Sequence, residues 1–164
     1  MIPRAPPAAE GDEPAAKVVS SASTPDATTD CPTPDNADEY ADQLLRLINI
    51  KRFEIGAVEL DPDLSAIAES YACAMIADDF FGHTHPTAGG IAERVSAAGY
   101  DYNVVGENLA AGIWTAPETF DAWLASPAHL DILIDPTFSK VGIAVRYGGH
   151  YGIYWVLIMA DPAE

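Results

Sequence analysis

Positive charge is scarce in this chain: eight Lys and Arg stand against 25 Asp and Glu, for a net charge of -17. Binding a polyphosphate needs clustered cations that displace condensed counterions, and the densest basic stretch here is the dipeptide Lys51-Arg52. That excludes a nucleic-acid partner and disfavours anionic membrane surfaces. Long hydrophobic runs are also missing. No stretch of about 18 apolar residues occurs, so no segment is expected to span a bilayer. The opening Met1-Ile-Pro-Arg-Ala-Pro-Pro-Ala-Ala-Glu10 lacks the apolar segment of a secretory signal, which leaves a cytosolic protein or one whose export signal has been removed. Cysteine is limited to one pair, Cys31 and Cys73.

What is present suits one compact domain, because 164 residues bury a large share of the unfolded surface but do not support a second core. Residues 1–34 are rich in Pro, Ala, Ser, Thr and acids, carry no periodicity, and read as a flexible, solubilising tether. The folded domain is expected over residues 35–164. Asn36-Ala-Asp-Glu39 has the form of a capping box, and Tyr40, Leu44, Leu47 and Ile48 follow at one-face helical spacing. That helix should end around Phe53 to Gly56. Asp61-Pro62 then starts a second helix with the apolar stripe Leu64, Ile67, Ala68, Tyr71, Ala72 and Met75.

After the turn Phe80-Phe81-Gly82-His83-Thr84-His85-Pro86, residues 90–98 read as a short helix stopped by Gly99. Residues 100–105 read as extended. Thr115-Ala-Pro-Glu118 starts a further helix with Phe120, Trp123 and Leu124 inward, and Ser126-Pro127 starts a last one carrying His129. The serine hydroxyl there is expected to cap helix amides rather than act as a nucleophile with His129 and Asp131. Two strands close the chain around Gly148-Gly149. The second is apolar on both faces, with Ile153, Trp155, Leu157 and Met159 on one and Tyr154, Val156, Ile158 and Ala160 on the other. Both faces must therefore be covered, which predicts an α+β fold, an α-β-α sandwich with a small central antiparallel sheet.

At about 100° per residue, Cys73 falls off the apolar stripe of the second helix, beside Ala66, Ser70 and Ala77. Two readings stand: a disulfide with Cys31 that pins the tether to the back of the helix, or two unrelated thiols. A bond would contribute up to about 4 kcal/mol and imply an oxidising compartment.

In that order the pieces resemble the CAP superfamily (cysteine-rich secretory, antigen 5 and pathogenesis-related proteins), specifically its bacterial SCP-like branch. The resemblance spans about residues 40–161 and rests on Leu47-Ile-Asn49 with Arg52 and Gly56, Phe81-Gly-His83, and Arg94 with Ala98-Gly-Tyr100. It continues through Gly106-Glu107-Asn108-Leu109-Ala110, Trp123 with Ser126-Pro-Ala-His129, Val141-Gly142-Ile143, and Tyr154-Trp155. It implies a central cleft lined by histidines and acids, a secreted or extracytoplasmic location, and a bound divalent ion or lipid in some members. His83 matches the histidine of the family's Phe-Ser-His turn, Glu107 its Gly-Glu-Asn glutamate, and His129 the bacterial Ser-Pro-Gly-His histidine. Departures are Gly82 for serine, Leu130-Asp131 for Arg and Asn, and Val156-Leu157 for Thr-Gln. Tyr154 stands where the eukaryotic branch has a histidine, and the second eukaryotic glutamate near Ser126 is missing.

Chemically, His83, His129 and Glu107 supply two imidazoles and a carboxylate, enough for zinc or another divalent cation with an open position, and His85 is an optional further donor. Asn108, Trp123 and Tyr154, with Glu107, are candidates for contact with a small ligand. Arg94, one of few cations, is expected to pair with a carboxylate in or near the cleft, and His150 is expected to face solvent. The leading expectation is a domain that binds a divalent metal or a small, lipid-like ligand. The alternatives are a metal-assisted, peptidase-like hydrolase with Glu107 as general base, and a structural or protein-interaction module.

Overall fold

The computed structural model describes residues 31–164. The tether expected over residues 1–34 therefore lies outside the described residues, save for its last four. Those four are part of the fold: Cys31 is disulfide-bonded to Cys73 with Cα atoms 5.3 Å apart, and the Pro32 carbonyl accepts from Tyr147 N–H at 3.0 Å. Of the two readings of the cysteines, the bonded one holds.

Helix α1 (Ala37–Lys51) leads through a turn to the two-residue strand β1 (Glu59–Leu60) and then to α2 (Pro62–Ala77). Next come α3 (Ile91–Ala97), β2 (Tyr102–Ala111), α4 (Ala116–Leu124), α5 (Pro127–Ile134), and the hairpin of β3 (Lys140–Gly148) with β4 (Gly152–Pro162). The sheet has the order β1-β3-β4-β2; β1 runs parallel to β3 and every other pairing is antiparallel.

Strand alternation divides the core into two layers, as β4 demands. Ile153, Trp155, Leu157 and Met159 pack with α1, α4 and α5, while Tyr154, Val156, Ile158 and Ala160 pack with α2 and α3. Helix α2 sits close on β3 because residue 142 has no side chain. A Cβ at Gly142 would lie 2.3 Å from the Leu64 carbonyl carbon and 2.5 Å from Ser65 N.

Helix starts follow the sequence in two places and depart from it in two. Asp61 caps α2, accepting from Asp63 N–H at 2.9 Å and Leu64 N–H at 3.2 Å. Thr115 caps α4 through Glu118 N–H at 3.3 Å. The Asn36 side chain makes no cap bond; the turn before α1 closes through the backbone instead, with Ala37 N–H donating to Pro34 O at 3.0 Å. Ser126 also makes no side-chain cap bond, although α5 starts at Pro127 as expected and the Ser126 carbonyl accepts from Leu130 N–H.

Strand β2 is longer than the extended stretch read over residues 100–105. It continues through Gly106-Glu107-Asn108, a sequence poor in strand formers, because β4 supplies a complete ladder (Glu107 opposite Ile158, Asn108 opposite Leu157).

Arg52 fastens the lower part of the α1 layer. It is 1% exposed and donates from Nε to Gly56 O at 2.8 Å, from Nη1 to Leu133 O and Asp135 O at 2.9 Å each, and from Nη2 to Phe138 O at 3.0 Å. One guanidinium thus joins the turn after α1 to the α5–β3 connection.

Candidate functional site

Glu107 lies in the middle of β2 and points into the α2/α3 layer, like Leu109 and Ala111 two and four residues on. Its side chain is 1% exposed, so a carboxylate there needs partners. Arg94, on α3, supplies them in a fork: Nη1 donates to Oε2 at 2.8 Å and Nη2 to Oε1 at 2.9 Å. The same Nη2 donates to the His83 carbonyl at 3.0 Å. The guanidinium also stacks 3.3 Å over the ring of Tyr71 from α2, whose hydroxyl donates to Gly82 O. Three elements thereby converge on the His83 turn.

His83 Nδ1 lies 2.9 Å from Glu107 Oε1. A carboxylate that accepts twice from a guanidinium is ionised and can only accept, so Nδ1 carries the hydrogen. The His83 side chain is 47% exposed. The site presents a half-exposed imidazole bonded to a buried carboxylate, which is in turn held by a buried cation.

The other candidates divide sharply. His85 is buried, with Nδ1 accepting from Thr87 N–H and Ala88 N–H at 3.2 Å each and Nε2 2.7 Å from Asp78 Oδ2. Its backbone pairs with Gly89 in both directions at 3.0 Å. Nδ1 is hydrogen-bonded inside its own loop, while Nε2 lies beside Asp78 at the end of α2 without an aligned hydrogen bond, so His85 acts as a latch of that loop. His129 is buried on α5, and its carbonyl accepts from Asn108 Nδ2 at 3.0 Å. Asn108 follows Glu107 in β2 and so occupies the opposite face of the strand, which ties α5 to the side that Glu107 does not face. Among the described residues no group of three or more His, Cys, Asp or Glu could hold a metal ion. The set of His83, Glu107 and His129 expected from the sequence is not among such groups: Arg94 occupies both Glu107 oxygens, and Asn108, on the face of β2 opposite Glu107, holds the His129 backbone carbonyl.

Asn108 is wholly buried and acts as that anchor. Trp123 lies in the α1/α4/α5 layer, 1% exposed, with Nε1 donating to Leu109 O at 2.9 Å. Tyr154 shares the Glu107 layer but is 1% exposed and packed between Phe81 and Tyr151; burial pushes its phenol above the ordinary range. His150 is exposed, as expected. Sequence reading took Tyr71 for core only, since it sits at ordinary stripe spacing and nothing local marks it as the platform for Arg94. Between α2 and α3, beside that stack, opens a cavity of about 650 Å³ lined by Ile67, Ala74, Thr87, Ala97 and Tyr100.

A four-stranded sheet between two helical layers, with an Arg–Glu–His cluster at one surface, defines the class: an α-β-α sandwich of CAP/SCP type. The chain belongs to the cysteine-rich secretory protein family (CAP), whose profile matches residues 52–159. It is 30% identical over 144 residues to the uncharacterized protein YkwD of Bacillus subtilis, covering 87% of this chain and 55% of that protein. It is 26% identical over 105 residues to the uncharacterized membrane protein YlbC of the same organism, covering 63% of this chain and 30% of that one. The chain thus spans about half, or less, of these relatives' lengths. The fold is shared with an outer surface protein of Borrelia burgdorferi, at TM-score 0.73 and 23% identity over 81% of this chain and 99% of that one. It is shared too with an SCP-containing extracellular protein of Bacillus anthracis, at TM-score 0.68 and 21% identity over 79% and 44% of the two chains. No described helix is long and apolar enough to cross a membrane.

Proposed function

We propose that this chain is an extracytoplasmic binding domain that holds a small organic ligand at the His83 surface, and that it is not a hydrolase. The observation that carries this reading is the state of Glu107: both of its oxygens are bonded to Arg94 and one also accepts from His83. A carboxylate so engaged is a poor general base, because taking up a proton would break a buried ion pair. The same engagement does not fit a resident zinc, for which three protein donors are usual and here two are already bonded to each other. What faces outward is the His83 ring, whose side chain is 47% exposed. The nearby cavity of about 650 Å³ combines methyl and aromatic walls with a few polar groups, the character of small-molecule sites. An oxidising location is supported by the disulfide, and it agrees with the extracellular and outer-surface descriptions of two proteins that share the fold.

The test is in two parts. Mass spectrometry of a solvent extract of the purified protein is expected to show a co-purifying apolar compound that is depleted in His83→Ala. A broad peptide library, incubated with and without zinc, is expected to remain uncut. Chelator-sensitive cleavage that disappears in Glu107→Ala would establish the hydrolase instead. Extracts without any bound compound, from native and variant protein alike, would remove the ligand reading.

A further inference from the structure

The cavity of about 650 Å³ between α2 and α3 has an open rim and a buried wall. The rim is made by Ala66 and Ser70 of α2 with Ala97 and Ala98 at the end of α3, all exposed. The buried wall is Tyr71 with the Arg94 guanidinium stacked 3.3 Å over its ring. Two nitrogens of that guanidinium are committed: Nη1 and Nη2 donate to Glu107, and Nη2 donates also to the His83 carbonyl. The third, Nε, is buried and finds no acceptor among the described residues. A buried N–H without an acceptor costs free energy, and a molecule that brings an oxygen to it recovers that cost on binding.

We propose that this cavity binds an uncharged, largely apolar molecule that presents a carbonyl oxygen to Arg94 Nε. Charge balance selects for neutrality. Arg94, the cation on the cavity wall, is already matched by Glu107; Asp63 stands on the same wall, and the chain carries a net charge of -17, so a carboxylate or phosphate would be desolvated without a free partner. A hydroxyl would add a donor to a wall that already has one to spare, whereas a carbonyl brings acceptor capacity alone. The alanine methyls of the rim and the Ile67 side chain give the apolar part of the molecule its contacts. The inference rests on the reading of this domain as a binder of a small organic ligand, and it uses neither nitrogen of the His83 ring.

The experiment uses the full chain and three probes of similar shape: methyl naphthyl ketone, ethylnaphthalene, which lacks the oxygen, and naphthoate, which is anionic. Nitrogen–proton NMR follows the Arg94 Nε–H signal, assigned by through-bond correlation, and fluorescence titration gives the affinities. The ketone is expected to bind saturably, to move the Arg94 Nε–H signal, and to bind roughly tenfold tighter than ethylnaphthalene, because it gains a hydrogen bond from a charged donor. Naphthoate should bind more weakly than the ketone. Ala97→Trp and Ala66→Trp fill the cavity from opposite walls at exposed positions and should each abolish binding, while Ser96→Trp, exposed on α3 and off the cavity wall, should bind as the native chain does. The proposal would be overturned by absence of saturable ketone binding, by an Arg94 signal that stays still at saturation, or by equal affinity for ketone and ethylnaphthalene. Tighter binding of naphthoate, native affinity in either filled variant, or an equal loss in Ser96→Trp would overturn it as well. None of these readouts depends on a co-purifying compound or on His83→Ala, so failure of this site and failure of the ligand reading are separate results.

Discussion

Replacing Arg52 by methionine tests the argument about the α1 layer most directly, because methionine keeps the length of the stem and removes all four bonds. Two of the acceptors, Leu133 O and Phe138 O, are bonded in buried surroundings, whereas the bonds to Gly56 O and Asp135 O are part-buried. Part-buried carbonyls can turn to water, and their loss costs little. A buried carbonyl left without a donor costs about 1–3 kcal/mol, so the two together cost about 4 kcal/mol. Against this stands the desolvation of the guanidinium, the main cause that lowers the Arg52 pKa, which the variant no longer suffers. The net loss is then about 3 kcal/mol, or roughly 10 °C in Tm for a domain of this size. Urea unfolding followed by circular dichroism should show a midpoint lower by about 2 M with unchanged slope. Arg52→Lys should lose most of the same amount, since an ammonium cannot span four separated carbonyls. Arg46→Met, at an exposed position on the same helix, is the control and should stay within about 0.5 kcal/mol. An Arg52→Met midpoint equal to that control would refute the reasoning, because it would mean that water satisfies the buried carbonyls without difficulty.

Two further outcomes follow from the covalent and phenolic features. The Cys31–Cys73 bond spans 42 residues of sequence, for which loop-closure entropy predicts about 4 kcal/mol; the double variant Cys31→Ala/Cys73→Ala should therefore melt roughly 12–15 °C lower, and a loss under about 3 °C would show that the reduced chain is held by other contacts. Tyr100, Tyr147 and Tyr154 all have phenols raised above the ordinary value of 10.0, each chiefly by burial and Tyr100 also by its bond to Asp61. The folded state thus favours the protonated phenols, so their contribution is intact below about pH 10 and is lost as pH rises through the folded-state values. Absorbance at alkaline pH should show part of the seven tyrosines titrating late, together with the loss of fold, and seven normal titrations in folded protein would contradict the packing.

The parts of this molecule that were legible in the sequence are those set by periodicity or by scarcity. The two-faced β4 required two helical layers, Asp61-Pro62 marked a helix start, and Cys73 stood off the stripe of α2. Arg94 was expected to meet a carboxylate because the chain has few cations to place. Other features depended on partners far away. The residues around Glu107 form strand only because β4 completes their ladder. Trp123 and Tyr154 bear groups suited to a ligand but are consumed by the core, and nothing in their local sequence separates those uses. His83 and His129 looked equivalent as donors, and only the alternation of Glu107 and Asn108 along β2, with Asn108 anchored to α5, distinguishes their settings. Side-chain caps at Asn36 and Ser126 were overread, since backbone bonds alone complete those turns.

The latch formed by His85 has a consequence for the neighbouring His83. The loop that carries both is closed by the Asp78, Thr87 and Ala88 contacts and by the Gly89 bridge, all of them made within the chain itself. On the function proposed above, a molecule binding at the His83 ring would meet a surface whose ordering entropy has already been spent during folding. Association should proceed without a slow rearrangement, and differences among related ligands should appear in how long they stay rather than how fast they arrive.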